Sequence, residues 1–384
     1  MLIILGNSLN TLLISAYCEK CGIEYKRFYT SALSAYPFYF NDYNNGMMGR
    51  VIRTLGIDFV QEEKEHFSII SDKHILTIGR SLHDLFQVIA EIKPQLQPGL
   101  EKFEGLVRET GDEWKSVSEN NFRINPVLNS AMVKNFMKTY QDMLKQHFPD
   151  EEAVDVFLSL VPRKDISFNT AAGYLANQVF DGGYRHNIIG TLIHRLQEGL
   201  NKDNSVRIEN FGQIITDTGL KRISDRDRAY PYKFIITTVD MRQSDQYLML
   251  IYLKIKKAES LQEYNFLYSD RLKELGVTQT ILSHTGGHYQ LDVYYVNKEL
   301  SLIQIAEAVG ELTGDFEITG AVSYEELREQ YACSNFAGWA FDVQENRKNP
   351  VQCLNNNVID LSRWGTAYFT STMIALKYMK ELSE

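Results

Sequence analysis

The sequence is poor in cysteine, with four in 384 residues. Four cysteines are too few for a disulfide framework in a chain of this length, and this favours a reducing, cytoplasmic environment. Cys18 and Cys21 form a C-x-x-C pair, but the other two cysteines lie far away at positions 333 and 353. A structural zinc site needs a second local pair. We therefore predict no metal site and interpret the C-x-x-C as a coincidence at a helix end, with redox or metal use as the alternative.

Long apolar runs, basic stretches and several catalytic motifs are also absent. No apolar stretch approaches the ~20 residues that span a bilayer, and the first residues lack the cationic start and cleavage site of a signal peptide. The net charge of −9 and the absence of a Lys/Arg run argue against nucleic acid or an anionic membrane as a partner. Without G-x-S-x-G, H-E-x-x-H, P-loop or EF-hand patterns, hydrolase, metalloprotease and NTPase activities have no support.

The first thirty residues carry the clearest pattern in the chain. Residues Leu2 to Leu5 are apolar and β-prone, and Gly6 breaks this run before a helix-like stretch that includes Leu12 to Tyr17. Gly22 is placed as a helix C-cap, and Ile23 to Tyr29 has the composition of a second strand. This order of strand, tight turn, helix and strand predicts the βαβ unit of a dinucleotide-binding fold.

The glycine motif of such a unit, G-x-G-x-x-G, is only partly present. Gly6 holds the first place, Ser8 the second and Thr11 the third. Tyr29 stands where an acidic residue normally binds the adenosine ribose. A helix N-terminus still offers free N–H groups and a partial positive charge to an anion. The alternative is a buried strand and helix of any α/β protein.

The rest of the chain predicts helices inserted among strands. Residues 80 to 160 have helical spacing with proline breaks, and a helix carrying His186 and His194 follows. "VRIENFGQIITD" resembles a strand pair, "YKFIITTV" a short buried strand, and residues 246 to 322 a mixed or antiparallel sheet. We predict an α/β protein, a Rossmann-like nucleotide-binding domain with an inserted mixed-sheet and helical substrate domain. The first would combine residues 1–60, 177–245 and 335–384, and the second 61–176 and 246–334.

Four segments resemble the superfamily of flavin amine oxidases and phytoene desaturases. They are "LIILGNSLNTLLISAYCEKCGIEYKRFY", "FDGGYRHNIIGTLIHRLQEGL", "VRIENFGQIITDTG" with "FIITTVD", and "VIDLSRWGTAYFTSTMIALKYMKEL". The resemblance implies FAD bound at the first turn and strand, at a Gly-Gly turn, and at a terminal Gly-Asp pair with a glycine-rich turn. The residues of this sequence at those places are Gly6, Ser8, Thr11, Tyr29, Gly182, Gly183, Asp360 and Gly365. Ile359 replaces the glycine of the Gly-Asp pair.

Four further residues are candidates for substrate contact. His186 and Arg185 follow the Gly-Gly turn, and Trp339 and Trp364 lie where the resemblance places the substrate cage. A solvent-facing histidine, a surface arginine and aromatic core packing are the alternatives. His284 and His288 flank a Gly-Gly pair, which a hairpin turn explains better than a two-histidine metal site.

The expected function is an FAD-dependent oxidoreductase that oxidises an amine or a C–H bond of a small-molecule or lipid-like substrate. NAD(P) binding belongs to the same class of fold. The alternative is a flavin-free pseudoenzyme or binding scaffold for a protein partner, because the superfamily includes Rab escort and GDP-dissociation-inhibitor (GDI) proteins that do not depend on FAD.

Overall fold

In this computed structural model, the described residues are 1–7, 9–30, 52–57, 67–79, 81–119, 125–161, 165–176, 186–211, 214–217, 220–225, 228–237, 247–256, 261–285, 287–331, 352–354 and 358–360. Within them the strands form three sheets. None of the helices in these ranges is long and apolar enough to cross a membrane.

The first sheet contains the amino-terminal strand at its centre. Its strands in spatial order are β15 (Gln352–Leu354), β16 (Val358–Asp360), β9 (Phe234–Thr237), β1 (Leu2–Leu5), β2 (Tyr25–Tyr29) and β5 (Ser205–Arg207). All neighbours from β16 to β5 are parallel, and β15 is antiparallel at the edge. The pairing of β1 with β9 confirms the predicted partner strand in "FIITTV".

The second sheet is mixed and larger. Its spatial order is β14 (Phe316–Val322), β10 (Tyr247–Ile255), β13 (His288–Tyr295), β12 (Val277–Thr285), β11 (Tyr264–Tyr268), β3 (Phe67–Ser71) and β4 (Ile75–Ile78). Only β3 and β11 are parallel among its pairs. A small antiparallel sheet contains β6 (Ile215–Asp217), β7 (Arg222–Ser224) and β8 (Ala229–Pro231).

Along the sequence, most of the helices lie between segments that form strands of the two large sheets. They are α1 (Leu9–Cys21), α2 (Leu82–Ile92), α3 (Gln97–Glu119), α4 (Ser130–Lys134), α5 (Tyr140–His147), α6 (Glu151–Ser159), α7 (Phe168–Tyr174), α8 (His186–Gly199), α9 (Asp270–Glu274), α10 (Leu302–Thr313) and α11 (Tyr324–Tyr331). Residues 52–55 are also helical, and short 3-10 turns occupy Pro94–Leu96 and Lys202–Asn204.

This architecture confirms the predicted fold class, a parallel nucleotide-binding type of sheet with an inserted helical region and mixed sheet. The strands of the first sheet come from the three separate segments that we expect to form one domain. The domain boundaries themselves stay a prediction.

The expectation of a strand pair within residues 206–217 is wrong. β5 extends the first sheet beside β2, whereas β6 pairs with β7 in the small sheet. The reason lies in the intervening residues, since Ile208 continues from β5 by donating its N–H to the Tyr29 carbonyl and then packs with Phe28 and Ile223 in a separate apolar cluster. The alternating pattern therefore belongs to two edge strands of different sheets.

An ion cluster joins α2 to α6 in the helical insertion. Lys93 Nζ lies 2.6 Å from Asp150 Oδ1 and 2.7 Å from Glu152 Oε2. Asp150 also caps α6, accepting the Ala153 N–H at 2.9 Å. Partial burial acts to raise the pKa of Asp150, but the bonds from Lys93 and Ala153 outweigh it and bring the pKa below its usual value of 3.8. The hydrogen bond from Lys93 likewise holds the pKa of Glu152 below 4.5.

Replacing Lys93 by methionine is expected to reduce the acid sensitivity of this region. Carboxyl groups with a lowered folded-state pKa stabilise the fold above their unfolded-state pKa, and this contribution is lost as the pH falls through the folded-state pKa. The variant should lose about 1 kcal/mol at pH 7 and less than that at pH ~3. Denaturant unfolding at both pH values measures the difference, and equal losses at both would contradict this assignment.

Candidate functional site

The candidate site lies where β1 ends and turns into α1. Gly6 has φ +132°, a conformation that side chains rarely adopt, so glycine is required for this turn. The Gly6 N–H donates to the Phe28 carbonyl at 3.1 Å. This bond fixes the turn beside the carboxyl end of β2, at the edge of the sheet where α/β folds bind nucleotides.

Thr11 fills the third glycine place of the motif. It is fully buried, and its hydroxyl donates to the Gly6 carbonyl at 3.4 Å. The Ser15 hydroxyl in turn donates to the Thr11 carbonyl at 2.7 Å. The turn is thus tied to the first two turns of α1 by side chains.

The N-terminal end of α1 is electrostatically suited to an anion. Its first turn contains no acidic residue. Four N–H groups at the start of a helix have no partner within the helix, and together with the helix dipole they attract negative charge. The arrangement can therefore accept a phosphate group at the end of β1.

The other end of α1 holds the helix firmly against the sheet. Gly22 has φ +66°, the Gly22 N–H donates to the Glu19 carbonyl, and the Ile23 N–H donates to the Cys18 carbonyl at 2.9 Å. This is a Schellman motif, which confirms Gly22 as the predicted cap. The second strand begins two residues after Ile23, at Tyr25, whose hydroxyl donates to Glu19 Oε1 at 2.8 Å.

Cys18 and Cys21 differ sharply in their surroundings. Cys18 is buried, and burial raises the pKa of its thiol to about 12, whereas Cys21 is exposed. A thiol with so high a pKa is a poor nucleophile and a poor metal ligand at neutral pH. This favours the interpretation of the C-x-x-C as a feature of the helix end.

Tyr29 ends β2, as the sequence predicts. Its backbone pairs with Arg207 of β5, and its carbonyl accepts the Ile208 N–H at 2.9 Å. An aromatic ring therefore stands where a carboxylate would bind a ribose. Tyr29 cannot provide that carboxylate contact.

Arg27 is a buried charge that the sequence analysis missed. It is 5 % exposed and shares a face of β2 with Tyr25, whose ring packs in the main core with Ile4 and Leu12. Its guanidinium carbon lies 4.6 Å from the centre of the Tyr29 ring, so the side chain extends towards the carboxyl end of the strand. Burial lowers the pKa of Arg27, and the neighbouring Tyr29 and Tyr25 partly offset this. Alternation along the strand places Arg27 on the same face as Tyr25, but only the strands on either side of β2 show that this face is buried.

Asp292 is a second buried charge that the sequence analysis missed. It is fully buried on β13, and its Oδ1 accepts the Gln290 amide at 2.9 Å. Burial raises the pKa of Tyr252 on the neighbouring strand, and the Asp292 charge raises it further. The same face of the sheet contributes Leu250, Ile281 and Tyr294 to the main core.

Asp360 and His186 are described at the level of the backbone. Asp360 ends β16 and pairs with Thr237, which in turn pairs with Leu5, so the ends of β16, β9 and β1 are level. The fold therefore brings Gly6, Tyr29 and Asp360 to one edge of one sheet. His186 is the first residue of α8, which packs against α1.

The remaining predicted site residues lie outside the described residues. They are Ser8, Gly182, Gly183, Arg185, Trp339, Trp364 and Gly365. Of the other histidines, His194 is 71 % exposed and lies 3.2 Å from Glu198, as expected for a residue that faces solvent. His284 and His288 belong to the paired ends of β12 and β13, which confirms the hairpin.

Solved structures share this fold over the whole chain. An oxidoreductase from Methanosarcina mazei has a TM-score of 0.63 at 11% identity, covering 100% of both chains. Cyclohexylamine oxidase from Brevibacterium oxydans has 0.60 at 10% identity, covering 100% of this chain and 99% of its own. A Rab GDI from Plasmodium falciparum has 0.54 at 11% identity, with coverages of 99% and 97%. No family model and no curated protein matches the sequence. At these identities the likeness establishes the fold.

Proposed function

We propose that this protein is a flavin-dependent oxidoreductase that oxidises an amine or a C–H bond of a small or lipid-like molecule. The observation that carries the proposal is the Gly6 turn, with its positive φ angle and the acid-free N-terminus of α1, at the carboxyl edge of a parallel sheet. The fold shared with cyclohexylamine oxidase and the Methanosarcina mazei oxidoreductase supports it.

The described residues fit the phosphate part of FAD better than its ribose part. The Gly6 turn and the first N–H groups of α1 would receive the pyrophosphate. Asp360, level with Gly6 at the same edge, would lie on the flavin side, as the resemblance implies. Tyr29 offers no carboxylate for the ribose, so a contact that is normally present is missing.

The chemistry that FAD supplies when bound is the acceptance of two electrons from the substrate. The chain itself would provide apolar, water-excluding side chains beside the nucleotide. Leu250 and Ile281 of the second sheet pack in the same core as Ile4 and Leu12 of the βαβ unit. Apolar side chains there exclude water from the reacting bond and leave the phosphates to the polar edge.

A flavin-free binding scaffold is the second candidate, and two residues favour it. Thr11 fills the third glycine place with a buried side chain, and Tyr29 removes the ribose acceptor. The fold shared with a Rab GDI is consistent with this function. In that case the protein would bind a protein or lipid-like partner instead of FAD.

The absorption spectrum of the purified protein, followed by release of any bound cofactor on denaturation, separates the two functions. We expect visible flavin bands that bleach when an amine such as cyclohexylamine is added without oxygen. Bands that no amine or lipid-like substrate bleaches would contradict the oxidase assignment. A colourless protein that FAD does not reconstitute would contradict the oxidoreductase and support the flavin-free scaffold.

A further inference from the structure

We propose that Arg27 is a phosphate-binding residue for the nucleotide. This chain then holds the diphosphate with a buried cation, whereas related sites use a glycine-rich backbone for the diphosphate and an acidic residue for the ribose. The inference rests on the proposed function, because it assigns a new residue to the same site. It goes beyond the resemblance, which implies no cation at this position of β2.

Among the described residues, Arg27 is buried without a paired anion. Within the described part of the chain, its Nε and Nη1 have no hydrogen-bond partner, although Arg27 is only 5 % exposed. A guanidinium remains charged in proteins, and burying an unpaired charge is costly. Folded proteins keep such a group only when something compensates for it, and among the described residues around Arg27 the compensation comes from the Tyr29 ring and not from an anion.

The neighbouring strands place no carboxylate on this face. β1 contributes Leu2 and Ile4 opposite Tyr25 and Arg27, and β5 contributes Ser205 opposite Arg27. The nearby acid on α1 is Glu19, whose Oε1 already accepts the Tyr25 hydroxyl at 2.8 Å and the Asn201 N–H at 3.0 Å. Among the residues of β1, β2 and β5, the Arg27 charge is met only by aromatic rings.

The direction of the Arg27 side chain also favours phosphate binding. The guanidinium carbon is 4.6 Å from the centre of the Tyr29 ring, two residues further along β2, so the charged end points to the edge where α1 begins. The Gly6 N–H bond to the Phe28 carbonyl fixes that turn beside the same end of β2. The helix N-terminus and the buried arginine therefore lie at the same place, beside the Gly6 turn at the end of β2. Both favour binding of a phosphate there.

A further cation lies at the outer side of this position. Arg207 pairs with Tyr29 across β2 and β5 and is exposed. Side chains of directly paired residues project from the same face of a sheet, so Arg207 shares the face of Arg27 and Tyr29. Two arginines on the same face as an aromatic residue match a ligand with two phosphates and a flat base, such as the ADP part of FAD.

The decisive experiment compares Arg27→Leu with the unaltered protein by titration calorimetry, with ADP, adenosine and inorganic pyrophosphate as probes. We expect Arg27→Leu to weaken ADP binding at least about tenfold and to leave adenosine binding unchanged. Arg27→Lys should recover part of the ADP affinity. Arg108→Leu, at a half-exposed arginine paired with Glu104 in the helical insertion, is the matched control and should have no effect.

A second measurement separates ligand binding from a structural role. Because an unpaired buried charge destabilises the free protein, Arg27→Leu should raise the thermal unfolding midpoint without ligand, whereas a structural arginine would lower it. ADP should raise the midpoint of the unaltered protein more than that of the variant.

Three outcomes overturn the proposal in distinguishable ways. Unchanged ADP affinity in Arg27→Leu refutes the role of Arg27 and leaves the proposed function standing. Pyrophosphate that binds the unaltered protein as tightly as ADP shows a general anion site and refutes the nucleotide assignment. Failure of the unaltered protein to bind either ADP or FAD refutes the proposed function and this inference with it.

Discussion

Replacing Gly6 by alanine is expected to weaken FAD binding by about a hundredfold or more. A φ angle of +132° is strained for any residue that has a Cβ atom, and such strain costs about 1–3 kcal/mol. The chain can relieve it only by moving the turn. This would break the Gly6 bond to the Phe28 carbonyl and misalign the N–H groups at the start of α1. Titration with FAD, together with denaturant unfolding of the same variant, measures both effects.

Gly22→Ala is the matched control at the other end of the same helix. Gly22 also has a positive φ angle, +66°, and no atom lies within 4 Å of an added Cβ. Alanine there should lower the free energy of unfolding by about 1–2 kcal/mol and leave FAD affinity unchanged. If both variants lost FAD affinity equally, general destabilisation would explain the effect and the Gly6 turn would not be the site.

Replacing Phe103 by alanine should cause the largest loss of stability, about 3–5 kcal/mol. Phe103 is fully buried at the centre of an aromatic cluster in the helical insertion. Its ring centre lies 5.4 Å from that of Phe148, 5.6 Å from Phe157 and 5.9 Å from Phe168. Alanine would leave a cavity and remove several edge-to-face contacts worth about 0.5–1.5 kcal/mol each. Denaturant unfolding measures the loss.

Two other substitutions are controls for the loss of stability expected for Phe103→Ala. Phe103→Leu keeps most of the buried apolar volume and should cost about 1–2 kcal/mol. Met137→Ala, at a residue that is 62% exposed in the same region, should change stability by less than ~0.5 kcal/mol. A loss for Phe103→Ala no larger than that for Phe103→Leu would mean that the three rings repack, contrary to this description of the cluster.

The amino-terminal βαβ unit could be predicted because its signals are local. A four-residue apolar run, a glycine at a forced turn and a second glycine at a helix end each act on neighbouring residues, and β1 has the predicted bounds Leu2–Leu5. The partner strand at Phe234–Thr237 could be predicted because its short apolar run is typical of a buried strand. The β12–β13 hairpin follows from two alternating runs on either side of a glycine pair.

Features that depend on distant residues were beyond the sequence. β5 joins the first sheet by pairing with β2, which lies far from it along the chain, whereas β6 pairs with β7 only a few residues later. Arg27 looked like one polar residue of an alternating strand, and only its position between β1 and β5 shows it to be buried. Asp292 is hidden in the same way within β13.

Titration of the cofactor-free protein with FAD, followed by flavin fluorescence, tests the central claim that the Gly6 turn at the edge of the first sheet binds a dinucleotide. We predict saturable quenching within roughly tens of micromolar FAD, displaced by ADP and strongly weakened in Gly6→Ala. Absence of quenching over that range, or quenching that Gly6→Ala leaves intact, would contradict the claim.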